Sequence, residues 1–194
     1  MVWGKAGSET LTTAGDACDV TVSDNKFNMI LFHRITSGNS RGLLRLNSDT
    51  GSNYSYRYNV NGGSEGTGTS VDNWNSQHYN RPNDSFWVAY FMNIATEEKL
   101  CIGFLIGRGT AGAANAPNRG ETVYKWSNTS DALSSLNFYN NDTGDFDTGT
   151  NATVLGDTGQ TAATVKILDG LIFEETDTNK HYIYTASTDT WTEI

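Results

Sequence analysis

Paired acids are the first residues to weigh, because two carboxylates on one strand face can cleave a glycosidic bond. One donates a proton while the other attacks or activates water. The strand arrangement that does this, Glu-x-Asp-x-Glu, is absent from the chain. Glu97-Glu98 falls in a predicted hairpin turn, where neighbours diverge. Glu174-Glu175 are adjacent in a predicted strand and so point to opposite faces. Both pairs read as solvated turn charges, and no catalytic residue is assigned. His33, His78 and His181 show no His-x-His or His-Glu-x-x-His spacing, so no zinc site is implied. Neither a nucleophile elbow nor a P-loop is assigned, and no cofactor is expected.

Two weaker constellations remain. Asp142, Asp145 and Asp147 lie within Asn140–Thr150, where spaced oxygen ligands and glycine could wrap a calcium ion. The run lacks the bidentate Glu and full loop of an EF-hand, and Asp, Asn and Gly also dominate ordinary turns. Tyr54, Tyr56 and Tyr58, with Trp74 and Trp87, could form an aromatic platform for sugars or a face of the core. Trp74, in the polar stretch Val71–Gln77, and Tyr56 are the ligand candidates.

These residues need a frame. The chain has 194 residues, a length that suits a single β domain over 1–194. Tyr and Thr favour strands, while Gly and Asn favour turns. The net charge of −9 repels phosphate backbones, so no nucleic-acid partner is expected. No apolar run is long enough to span a membrane, and the first residues lack a signal-peptide layout, so either such a peptide has been removed or the protein is made and used without export by that route. Cys18 and Cys101 are too few for a disulfide scaffold; they are buried small hydrophobes or one long-range bridge.

Strands are predicted at Ala17–Val22, Phe27–Ile35, Leu43–Asn47, Tyr54–Val60, Phe86–Ile94, Lys99–Ile106, Glu121–Trp126 and Leu133–Tyr139. Thr164–Leu168 then precedes a closing meander of Leu171–Glu174, His181–Tyr184 and Trp191–Glu193, turning at Asp177–Asn179 and Ser187–Asp189. Phe27–Ile35 reads as a central strand covered on both sides. Asn61–Ser70 and Gly107–Asn118 read as loops, and Ser127–Leu133 as at most one helical turn capped by Asp131. About ten to twelve short strands predict an all-β, antiparallel sandwich or jelly roll.

Five segments carry a resemblance: Gly51–Tyr58, Asn93–Gly103, Thr110–Glu121, Lys125–Ser130 and Phe173–Tyr184. Together they resemble virion structural proteins predicted in marine tailed viruses of bacteria and archaea. Such segments occur there in tail-fibre-like or capsid-surface proteins, often beside concanavalin-like sandwich modules. The resemblance covers roughly Leu11 to Ile194. It implies a non-enzymatic part of the virion surface, assembled in the host cytoplasm: a capsid decoration (cement) protein or a spike or fibre domain. Its partners would be the major capsid protein and further copies of itself, a trimer or another closed ring. The alternative is a carbohydrate-binding module for a host-surface glycan, using Trp74; a glycoside hydrolase is the third reading.

One expectation concerns contacts. Phe86–Ile94 is apolar on both faces, with Phe86, Val88, Tyr90, Met92 and Ile94 on one and Trp87, Ala89 and Phe91 on the other. A sandwich strand needs only one apolar face, so the second must be covered. The reading places the Trp87/Phe91 face under the Gly107–Asn118 loop or in a subunit contact.

Overall fold

The computed structural model describes residues 3–75, 83–157, 169–175, 178, 180–188 and 190–194. The chain forms two compact units, Met1–Gly159 and Gln160–Ile194. The reading of one sandwich over 1–194 meets two units here, and the closing meander's strands pair with one another in a sheet of their own.

The first unit contains β1 (Trp3–Thr10), β2 (Ala17–Thr21), β3 (Phe27–Arg34), β4 (Leu43–Leu46), β5 (Tyr54–Val60) and β6 (Gly66–Val71). It continues with β7 (Trp74–Asn75), β8 (Ser85–Met92), β9 (Lys99–Gly107), β10 (Asn118–Trp126), β11 (Ser135–Tyr139) and β12 (Asn151–Asp157). They make an eight-stranded sheet, β1-β12-β3-β8-β9-β10-β5-β6, and a four-stranded sheet, β2-β11-β4-β7. The pairings in both are antiparallel. Inward residues of the two sheets meet as a sandwich: Phe32 of β3 stacks on Phe138 of β11 at 4.0 Å, and Trp87 of β8 meets the same ring at 6.0 Å. The second unit is a three-stranded meander, β13 (Ile172–Glu175), β14 (Lys180–Thr185) and β15 (Thr190–Glu193).

Four strands lie where none was predicted: β1, β6, β7 and β12. β6 explains itself. Tyr56 and Tyr58 of β5 lay their rings across the neighbouring strand, where a Cβ on Gly68 or Gly66 would come within 2.5 Å or 2.4 Å of ring carbons. The glycines that look like loop residues are what lets the rings lie flat. β12 alternates small inward residues, Ala152, Val154 and Gly156, which give a weak periodic signal. The predicted strand Thr164–Leu168 lies outside the described residues, as do His78, Asp177, Asn179 and Asp189. Ser127–Leu133 forms no helix. The Asn128 side chain organises it, accepting N–H bonds from Ser130 at 2.8 Å and Asp131 at 2.9 Å.

Polar groups in and beside the core fix the frame. The fully buried Lys99 ammonium donates to the carbonyls of Ala95, Glu97 and Asn128 at 2.8–2.9 Å, spending all three of its protons. It joins the β8–β9 turn to the segment after β10 and lies 5.6 Å from the Trp126 ring centroid. Burial pulls its pKa down, against Asp131 and Glu97, which favour the charge. Arg34, also fully buried, donates to the carbonyls of Ser40 and Asn83. Burial lowers its pKa to about 10, still far above neutrality, with Asp84 and Asp142 supporting the cation. Asp49 accepts from the Trp126 indole at 2.7 Å, Asn53 Nδ2 at 2.9 Å and the Gly51 N–H at 2.8 Å. Burial acts to raise its pKa, but these donors and Arg45 hold the carboxyl below the usual range.

Lys99→Met removes the donor from three part-buried carbonyls and should cost about 3 kcal/mol in denaturant unfolding. A loss under about 1 kcal/mol would mean water replaces the ammonium. The depressed Asp49 pKa gives a second expectation. Its contribution is fully present above the ordinary carboxylate pKa of about 4 and is lost as pH falls through the folded value. Asp49→Asn should therefore be less stable than the parent at neutral pH, with the difference closing in acid. A difference independent of pH would assign the effect to shape and not to charge.

Candidate functional site

Registers across the eight-stranded sheet place its outward side chains in rows. One row runs Lys5, Leu155, Met29, Tyr90, Ile102, Val123, Arg57, Thr67 from β1 to β6. The next runs Ser8, Thr153, Leu31, Val88, Phe104, Glu121, Asn59. A third crosses Asn151, His33, Phe86, Ile106 and Arg119. Each row is apolar in the middle and polar at the ends. The result is an apolar band over β3, β8, β9 and part of β10.

The band is open. Phe86, Tyr90, Leu100, Ile102, Phe104, Ile106 and Val123 are each 40–52% exposed. Four strands by seven residues span roughly 19 Å by 23 Å, about 400 Å². The largest apolar patch on a typical monomer is of this size, roughly 300–600 Å², and is often functional. At one end it deepens into a trough of about 890 Å³. Tyr90, Met92, Leu100, Ile102 and Val123 line it, with Trp3 from one edge strand and Thr67 and Thr69 from the other. Opposite edges of the sheet reach one trough, so this face is concave. At its rim Lys125 pairs with Glu98 at 3.2 Å, and Arg57 pairs with Glu65. Phe27–Ile35 is thus covered on one side only: Met29 and Leu31 face the open band.

The expectation for Trp87 and Phe91 is overturned. Both are buried in the core, facing the four-stranded sheet, and the Phe86/Val88/Tyr90/Met92 side is the open one. The Gly107–Asn118 loop covers neither, since residues 110–117 are all exposed. The reason lies on β9. Gly103 leaves room for the Trp87 indole, whose Nε1 would sit 2.6 Å from a Cβ there. The inward face of β9 is Lys99, Cys101, Gly103 and Leu105, while Leu100, Ile102, Phe104 and Ile106 point out. On this strand the more apolar face is the outer one.

Trp74 is likewise not a ligand platform. It is fully buried, donates its indole N–H to the Lys125 carbonyl at 3.0 Å, and packs on Tyr124 at 5.1 Å and Tyr54 at 5.9 Å. Its polar neighbours belong to the surface of a two-residue strand. Tyr56 is half-buried against the core beside Tyr58 and Tyr124, and its stretch of β5 borders the trough. Burial, then the neighbouring Tyr58, raises its pKa. The core and platform readings of these aromatics resolve to core for Trp74 and Trp87.

Asp142, Asp145 and Asp147 do not converge. Asp142 lies 3.8 Å from Arg41, Asp145 is exposed, and Asp147 accepts the Thr148 N–H at 2.7 Å. No group of three His, Cys, Asp or Glu that could hold a metal occurs among the described residues. Cys18 and Cys101 are free and buried, and burial pushes the Cys18 thiol up to about 11. Glu98 is engaged with Lys125, and Glu174 lies 3.9 Å from His181. One motif was missed: Gly38-Asn39-Ser40-Arg41-Gly42 has the letters of a nucleophile elbow. Ser40 is fully buried in a strand-to-strand loop, and its hydroxyl donates to Thr36 Oγ1 at 2.9 Å. No helix follows it, so the exposed strand–turn–helix geometry of that motif is not made.

Comparison of this chain with protein-family models, curated proteins and solved structures finds no match. No helix among the described residues is long and apolar enough to cross a membrane.

The two faces of β8 and β9 should respond oppositely to truncation. Trp87→Ala should cost about 3–5 kcal/mol of stability. Ile102→Gln on the open face should change it by less than about 1 kcal/mol while reducing binding of an apolar dye to the native protein. Equal losses at the two positions would mean the open face is covered within the folded chain.

Proposed function

We propose that this chain is a non-enzymatic structural protein of a virion surface, a decoration protein or a spike or fibre domain. In this reading it docks on a neighbouring virion protein, such as the major capsid protein, through the concave face of its eight-stranded sheet. The observation that carries the docking is the row of half-exposed apolar side chains on β9, Leu100, Ile102, Phe104 and Ile106. A whole eight-stranded face, roughly 38 Å by 23 Å, matches the 800 Å² per partner of a standard interface. The polar ends of each row supply the rim that such interfaces have around an apolar centre. The virion assignment itself rests on the resemblance of the sequence segments.

A protein partner suits this face better than a glycan. Its exposed centre is apolar, and Trp74, the residue that motivated sugar recognition, is core. Of the acids a hydrolase would need, Glu98 pairs with Lys125 and Glu174 lies 3.9 Å from His181.

Electron microscopy of the native particle tests this directly. The expected density places the chain on the outer surface with the β3–β8–β9–β10 face against a neighbour. In a reconstitution on particles stripped of the chain, Phe104→Glu should weaken rebinding at least tenfold, as loss of a central contact does. A face turned to solvent, or rebinding unchanged by Phe104→Glu, would overturn the docking mode. Absence of the chain from purified particles would overturn the virion assignment.

A further inference from the structure

The trough at one end of the open face differs in charge from the chain that carries it. The whole chain bears −9. Yet the charged side chains among the described residues lining the trough are Arg57 and Lys125, with no acid among them. Both cations sit at the same end. Lys125 pairs in register with Leu100 on one side and Ser55 on the other, while Arg57 pairs with Val123. Arg57 of β5 and Lys125 of β10 are therefore diagonal neighbours on one face, roughly 7–8 Å apart. One anion between them can accept charge-assisted hydrogen bonds from both. Their present partners do not prevent this. Lys125 meets Glu98 at 3.2 Å and Arg57 meets Glu65, and all four side chains are about half exposed. Exposed pairs of this kind contribute little, so an incoming anion displaces the two glutamates at little cost.

From that cationic end the wall turns apolar. Leu100, Ile102, Tyr90 and Met92 lead across β9 and β8 to Phe27 of β3, and Trp3 of β1 closes the far end. From β10 to β1 is five strand spacings, roughly 24 Å. Asp157, opposite Trp3 in register, stands at that far end, where it disfavours a second negative charge. The volume of about 890 Å³ falls within the range of small-ligand sites, roughly 300–1,000 Å³. The trough is thus long, apolar along its length and cationic at one end only.

The geometry points to a binding site for a single-chain amphiphile with one carboxylate, a long-chain fatty acid. Its carboxylate bridges Lys125 and Arg57, and its alkyl chain lies over Leu100, Ile102 and Met92 towards Trp3. This site goes beyond the docking reading and does not rest on it, since Phe104, central to docking, is not part of the trough wall.

A delipidated sample of the full chain, titrated with a fluorescent polyene fatty acid, tests this. The probe should bind one per chain and be displaced by laurate below its micelle concentration. Dodecanol, with the same chain length and no charge, should displace it about tenfold less well, the loss of one hydrogen-bonded charge. Lys125→Gln and Arg57→Gln should each weaken laurate towards the alcohol and leave the alcohol unchanged, a split that damage to the fold does not give. Ile102→Gln should weaken both ligands. Phe104→Glu should spare laurate, so this inference and the docking proposal fail separately. A full chain that binds no probe would overturn the inference, as would dodecanol competing as well as laurate. So would laurate affinity unchanged in the Lys125→Gln, Arg57→Gln double variant, or binding to anionic phospholipid vesicles without binding to monomeric laurate.

Discussion

The open face of this molecule depends on how β9 is held. Side chains alternate along a strand, so a shift of one residue would exchange its faces entirely. Three interactions forbid that shift. The Lys99 ammonium is bound by three carbonyls, and exchanging the faces would tear it from all of them. Gly103 lies under the Trp87 indole, where any Cβ collides. Trp126, beside Lys99 across the strand pair, is anchored through its indole N–H to Asp49. With β9 locked, Leu100, Ile102, Phe104 and Ile106 have nowhere to point but outward. A strand that sends a lysine and a glycine inward and four large apolar residues outward sacrifices solubility for a surface. A patch of that kind is often the functional surface of a protein.

The sequence revealed the periodic elements and obscured their polarity. Tyr54–Val60 alternates cleanly and was located by that pattern, while the adjacent apolar runs of β8 and β9 were legible as a hairpin. Which face makes the core was not legible, because hydrophobicity alone ranks the wrong face of β9 first. What decides the matter is the pair Trp87–Gly103, a cross-strand fit between residues sixteen positions apart. The same kind of non-local fit hid β6, whose glycines serve the rings of Tyr56 and Tyr58. Trp74 misled for the opposite reason. Its neighbours are polar because β7 is two residues long, and one large side chain suffices to anchor it in the core. The candidate site was half visible: two apolar faces on β8 were read correctly, and the open one was misassigned.

An exposed apolar sheet invites uncontrolled growth, and the edges of this sheet show how growth is limited. Unpaired edge strands are templates for further strands. Here both edges are irregular. The β1 register shifts between Lys5 and Gly7, and the β5–β6 register shifts between Tyr54 and Tyr56, next to Ser70 at a φ of 52°. Bulges twist an edge away from flat pairing. β1 also carries Lys5 and Glu9, whose charges oppose the approach of another strand. Strand addition is thereby discouraged at both ends of the sheet, while its face stays open. Face contacts need complementary shape, and a concave face accepts a partner that fills it but not a second copy of the same concavity. The combination of blocked edges and a concave apolar face favours one finite, specific docking over polymerisation.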